Sequence, residues 1–140
     1  MKSMLLPVLV IAAPAAAQTT PQAQITAAMN DSAAAWNRGD LNGFMALYAE
    51  DALFAAGDKL KRDSREIAAG YAPSFVSGGN KRGRLGFEML AWRTLSPVHQ
   101  LLVARYVLTP ADGTAPQSGL TTLLFERRKA GWRIISDHSS

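Results

Sequence analysis

Cysteine is absent from the 140-residue chain, and histidine occurs only twice, at His99 and His138. The first absence excludes disulfides and thiolate metal ligands, and the second leaves too few nitrogens for a zinc site of the usual kind. No Asp-rich loop of the calcium-binding type is present either. The expectation is therefore a domain with no metal and no cofactor, held together by packing alone. Long apolar runs are scarce as well. One spans Met4–Ala13, with Lys2 before it and Ala15-Ala16-Ala17 after it. It is too short to cross a bilayer as a helix and has the order of a secretory signal peptide. Residues 1–17 are accordingly read as a cleaved leader, which predicts a periplasmic or secreted location and no stable membrane insertion after cleavage. Residues 18–24 read as a flexible lead-in and 25–140 as one domain.

Charge of one sign is also mild, at +4 from 15 Lys and Arg against 11 Asp and Glu. Basic clusters occur at "DKLKRDSR", "NKRGR" and "ERRK", but acids are interspersed with them. That pattern fits solvated turns and hairpins and argues against a nucleic-acid partner.

What is there is ordered. Ile25, Ala28, Met29, Ser32, Ala35 and Trp36 recur at helical spacing, and Arg38-Gly39 stops that helix. Asp40 can cap a second helix with a face of Leu41, Phe44, Met45 and Tyr48. A short strand and a basic turn follow in "DALFAAGDKLKR". Asp63 and Glu66 resemble a capping box for a third helix bearing Ile67, Tyr71 and Phe75, which Pro73 weakens and Gly78-Gly79 stops. The period then changes. "GRLGFEMLAWRTL", "HQLLVARYVLTP", "SGLTTLLFERRK" and "GWRIISDHS" read as four strands parted by turn residues. Three helical segments and an antiparallel meander predict an α+β fold in which the helices cover the concave face of a curved sheet.

The stretches "AAWNRGDLNGFMALYAEDALF" and "GLTTLLFERRKAGWRIISDHSS", with "LLVARYVL" between them, resemble the SnoaL-like branch of the nuclear transport factor 2-like superfamily. The likeness extends to small bacterial domains related to the association domain of calcium/calmodulin-dependent kinase II. It implies a cone-shaped half-barrel with a pocket between helices and sheet, paired as a homodimer through the outer sheet face. It does not fix a function, since this scaffold hosts enzymes, carriers and oligomerisation modules. Laid on the ketosteroid isomerases of this fold, the base position falls at Ala56 and the donor position at Ser32. Alanine has no proton to exchange, so that resemblance fails where the chemistry would occur.

The candidate site residues follow from these elements. The C-terminal "DHSS" cannot be a triad on a regular strand, because alternation sends Asp137 and Ser139 to one face and His138 to the other. Without a bulge, His138 shares the inner face with Trp132 and Ile134, and Asp137 looks outward. His138 is then a candidate general acid or base, with Tyr48 and Asp51, which flank the expected end of the second helix, as assistants. Trp36, Tyr48, Phe54, Tyr71 and Phe75 are candidate walls for a small, largely apolar ligand. Arg105 either faces solvent or a partner, or faces inward to anchor an anion, and Glu88 poses the same alternative. His99 reads as a surface residue at the start of a strand. Three functions stay open: a ligand-binding domain, an enzyme using His138, and a homodimeric interaction module with a vestigial pocket.

Overall fold

The computed structural model describes Ile11 and residues 19–140. Apart from Ile11, the expected leader lies outside the described residues.

Helix α1 (Pro21–Asn37) starts within the segment expected to be a loose lead-in. Thr20 accepts a hydrogen bond from the Ala23 amide, and Pro21 sits at the first helical position, where its missing N–H costs nothing. Its buried residues are Ile25, Met29, Ser32, Ala33, Ala35 and Trp36. Asp40 caps α2 (Leu41–Met45) by accepting from the Gly43 amide at 2.8 Å. The chain then enters β1 (Tyr48–Ala56) and β2 (Lys59–Lys61). Tyr48 is thus the first residue of a strand and not part of a second-helix face. Asp63 caps α3 (Ser64–Tyr71), accepting from the Glu66 amide at 2.8 Å, while Glu66 reaches back to the Arg62 amide. A 3-10 turn (Ala72–Ser74) at Pro73 leads to the small hairpin β3 (Phe75–Val76) and β4 (Gly79–Asn80).

Four long strands complete the chain: β5 (Arg84–Ser96), β6 (His99–Thr109), β7 (Gln117–Arg128) and β8 (Gly131–Ser139). They form an open six-stranded sheet with β1 and β2, in the order β2-β1-β8-β7-β6-β5. The meander is antiparallel as expected. The exception is β1, which pairs parallel to β8 and so brings the first strand beside the last. The result is the expected α+β cone: a curved, unclosed sheet with helices over its inner face.

Side-chain hydrogen bonds fix how α1 sits on the sheet. Asn37 imitates a strand residue: its side-chain nitrogen donates to the Leu85 carbonyl, and its oxygen accepts from the Leu85 amide at 2.7 Å. Trp36 Nε1 donates to the Gly83 carbonyl, and Trp132 Nε1 donates to Gln24 Oε1. Around Trp36, Phe44, Tyr71 and Phe75 pack edge-on with centroids 5.0, 5.6 and 5.1 Å away. Such pairs contribute roughly 0.5–1.5 kcal/mol each beyond the area they bury. Among the described residues no helix is long and apolar enough to cross a membrane.

The exit from α1 depends on Gly39, whose φ is 75° and whose missing Cβ leaves room for the Val76 carbonyl and the Gly79 backbone. Gly39→Ala is expected to cost at least about 1–3 kcal/mol, the range for a non-glycine residue held in the left-handed region. Urea unfolding checks this; a variant as stable as the parent would contradict it.

Candidate functional site

Between α1, α2, α3 and the inner sheet face lies a cavity of about 320 Å³. Its walls follow from alternation along the strands. On β6, Ala104 and Leu108 are buried, and Tyr106 between them also faces inward. On β7 the inward residues are Thr121, Leu123 and Phe125, all buried. Trp36, Tyr48, Phe54 and Tyr71 all line the cavity. Phe75 does not; it stands behind Trp36 and Phe44 as support.

The C-terminal strand departs from the regular alternation. Leu124 faces Ser136 across the β7–β8 ladder, but Phe125 faces Ile134, so Ile135 is an extra residue. This bulge inverts everything after it. Asp137 and Ser139 line the cavity, whereas His138 is exposed on the outer face, between Ala55 and Thr122. The inward His138 of an unbulged strand is therefore corrected: the inward group is Asp137.

Asp137 is the polar centre of the cavity, only 4% exposed. Its Oδ2 accepts from the Tyr48 hydroxyl at 2.7 Å. Its Oδ1 accepts from Ser139 Oγ at 2.6 Å and Thr121 Oγ1 at 3.1 Å. A carboxylate offers about four acceptor positions, so one remains for another donor. Burial raises the Asp137 pKa above its ordinary value, although the hydroxyls of Ser139, Tyr48 and Thr121 pull the other way. Burial, with the nearby Asp137 charge, also holds the Tyr48 phenol well above its usual value and raises Tyr71 to about 12. Both tyrosines are therefore hydrogen-bond donors near neutral pH.

The remaining candidates lie elsewhere. Asp51 is on the outer face, exposed and paired with Arg128 at 2.9 Å. Arg128 continues to Glu126 at 2.9 Å, Glu126 to His99 Nε2 at 2.8 Å, and His99 Nδ1 to Ser96 at 2.7 Å. His99 is thus a surface residue at the start of β6, as read from sequence. Arg105 faces outward with Glu88 at 3.7 Å, which decides the open alternative for both residues. Asp51, Arg105 and His138 do not meet Tyr48 in the cavity. Sequence reasoning missed Thr121, Ser139, Lys61 and Arg82 as lining residues. One signal was present: the tandem Ile134-Ile135 offers two apolar residues where alternation calls for one. Among the described residues, no group of three or more His, Cys, Asp or Glu could hold a metal ion.

Ser32 and Ala56 both border the cavity. Ser32 Oγ donates to the Phe44 carbonyl at 3.1 Å, and Ala56 carries nothing that titrates.

Comparison with known proteins agrees with this architecture. The family model of the SnoaL-like domain matches residues 25–140. The chain belongs to that family. No curated protein matches it. Among solved structures, a nuclear transport factor 2-like protein of unknown function from Shewanella oneidensis is 28% identical, with 86% of this chain and 99% of that one covered and a TM-score of 0.77. A domain from Thiobacillus denitrificans, named after the calcium/calmodulin-dependent protein kinase type II association domain, is 25% identical over 82% and 92% of the two chains, with a TM-score of 0.67. A ketosteroid isomerase-like protein from Erwinia carotovora shares the fold at 20% identity, 84% and 93% coverage and a TM-score of 0.65.

The electrostatics of Asp137 give a testable pH dependence. A carboxyl with a raised folded pKa binds its proton more tightly in the native state. Its contribution to stability is therefore greatest at low pH and declines as pH rises from about 3.8 through the folded value. Asp137→Asn removes this titration, so its stability relative to the parent should improve over that interval. Thermal or urea unfolding across pH tests this; parallel curves would contradict it.

Proposed function

We propose that this chain is an exported small-molecule-binding domain whose ligand enters the cone-shaped cavity and bonds to Asp137. The observation that carries this reading is a space of about 320 Å³ with aromatic walls and one buried carboxylate that retains an acceptor position. A void optimised for stability alone would be filled, because each lining side chain forfeits packing contacts across the gap. Pockets of this size with few, well-placed polar groups are typical of small-ligand sites. The leader-like residues 1–17 support export.

Binding is favoured over isomerase chemistry by the two positions compared above. Ala56 cannot shuttle a proton, and the Ser32 hydroxyl is bonded to a backbone carbonyl. Nor is His138 placed to serve as the acid or base, since it lies on the exposed outer face.

Homodimerisation through the outer sheet face is a second, compatible part of this reading. That face carries exposed Leu53 on β1 and Leu120 on β7, with half-buried Leu101 and Val103 on β6. Exposed apolar groups gathered on one face favour burial against another surface.

Two measurements test the proposal. An apolar fluorescent dye should bind the parent at micromolar concentration, and Ala56→Trp, which fills the cavity from its wall, should reduce binding at least tenfold while leaving the melting temperature within a few degrees. Undiminished binding by the folded variant would place the dye elsewhere and count against the cavity. Sedimentation should show a dimer for the parent and a monomer for Leu120→Glu; a monomeric parent at micromolar concentration would remove the dimer.

A further inference from the structure

Strand β2 is inverted relative to ordinary strand patterning. Leu60 points outward at 47% exposure, while Lys61 turns inward and lines the cavity. The register explains how: Lys61 lies directly opposite Phe54, a buried cavity residue, so the two share a face. Exposing a leucine in order to turn a lysine inward wastes apolar burial, which makes Lys61 the unexpected member of the wall.

The surroundings accommodate this lysine without neutralising it. Its ammonium lies 5.3 Å from the Phe54 ring centroid and 5.9 Å from that of Tyr71. Its stem and ammonium lie against Gly70, where a Cβ would collide with Nζ. A second cation, Arg82, also lines the cavity, with its guanidinium carbon 5.7 Å from the Trp36 ring centroid. Neither makes a salt bridge to a carboxylate among the described residues, although Arg38, Arg105 and Arg128 all do. Trp36 and Tyr71 pack edge-on at 5.6 Å, so the two cations flank one aromatic pair. Among the described residues that line the cavity, the remaining charged side chain is Asp137.

We propose that the ligand is an amphiphilic organic anion: a ring-sized apolar body carrying a carboxylate held by Lys61 and Arg82, with an O–H or N–H donor at its other end meeting Asp137. The inference rests on the cavity-binding reading above and adds the charge and polarity of the ligand. The volume of about 320 Å³ equals roughly ten waters at the liquid share of about 30 Å³ each, which suits one or two fused rings. The ammonium and guanidinium already lie against aromatic rings, and a carboxylate between them gains charge-assisted hydrogen bonds.

The test uses the full domain and a matched pair of probes, 1-naphthylacetate and 1-naphthylacetamide, titrated by calorimetry at low and at 0.5 M salt. The acid should bind at least tenfold more tightly than the amide at low salt, and salt should erase most of that preference. Lys61→Gln and Arg82→Gln should each weaken acid binding about five- to tenfold and amide binding by much less, so that the acid preference shrinks. Arg105→Gln, on the outer face, should alter neither. Equal binding of acid and amide would overturn the anion inference while preserving the cavity reading. Retention of the acid preference in both glutamine variants, each checked for a native melting transition, would overturn the assignment to these two cations. If neither probe binds and neither displaces a dye that Ala56→Trp excludes, the anion inference falls and the cavity reading stands; if the dye does not bind either, both readings fall.

Discussion

The bulge at Ile135 decides which polar groups β8 presents to the cavity. Across the β7–β8 ladder, Leu124 faces Ser136 and Phe125 faces Ile134, which leaves Ile135 with no counterpart. Side chains alternate with period two, so one extra residue exchanges the faces of everything that follows. Trp132 and Ile134 stay in the core before the bulge, and Asp137 and Ser139 enter the cavity after it. Strand β1 is irregular at the same place: five steps from Tyr48 to Leu53 run beside two steps of β8. The paired irregularities place the Tyr48 hydroxyl 2.7 Å from Asp137.

A buried carboxylate is costly unless its lone pairs are used. Here Tyr48, Thr121 and Ser139 supply three donors from three different strands. The three bonds do not fully offset burial, because the Asp137 pKa remains raised. The cavity therefore holds a carboxyl that is satisfied enough to fold and still able to accept a further bond. Rigid support comes from the aromatic cluster around Trp36, and from Asn37 and Trp36, which tie the end of α1 to the start of β5. Helix, cluster and sheet together keep the space open rather than letting it collapse.

Much of this architecture could be read from the chain, because its signals are local. Asp40 and Asp63 cap helices where their spacing placed them, and Gly39 ends α1 with a positive φ. Four strand-like runs became β5 to β8. Local pattern is silent where distant residues decide the outcome. Tyr48 continues the helical spacing of Leu41, Phe44 and Met45, yet the chain turns into β1 there because β8 offers it a parallel partner. That pairing joins residues 83 to 86 positions apart, and no local pattern announces it. The direction of His138 was lost in the same way: the bulge is set by the fit between strands, and the sequence carries only the doubled Ile134-Ile135. Lys61 was hidden in what read as a solvated basic turn, since its inward direction follows from its register with Phe54.

The most direct measurement of the central claim, that the Ile135 bulge turns Asp137 into a shielded cavity, is an NMR titration of the Asp137 side-chain carboxyl. The midpoint should lie above the ordinary aspartate value of 3.8 and move when a molecule occupies the cavity. A midpoint at or below 3.8, unaffected by an occupant, would show a solvated carboxylate and contradict the account.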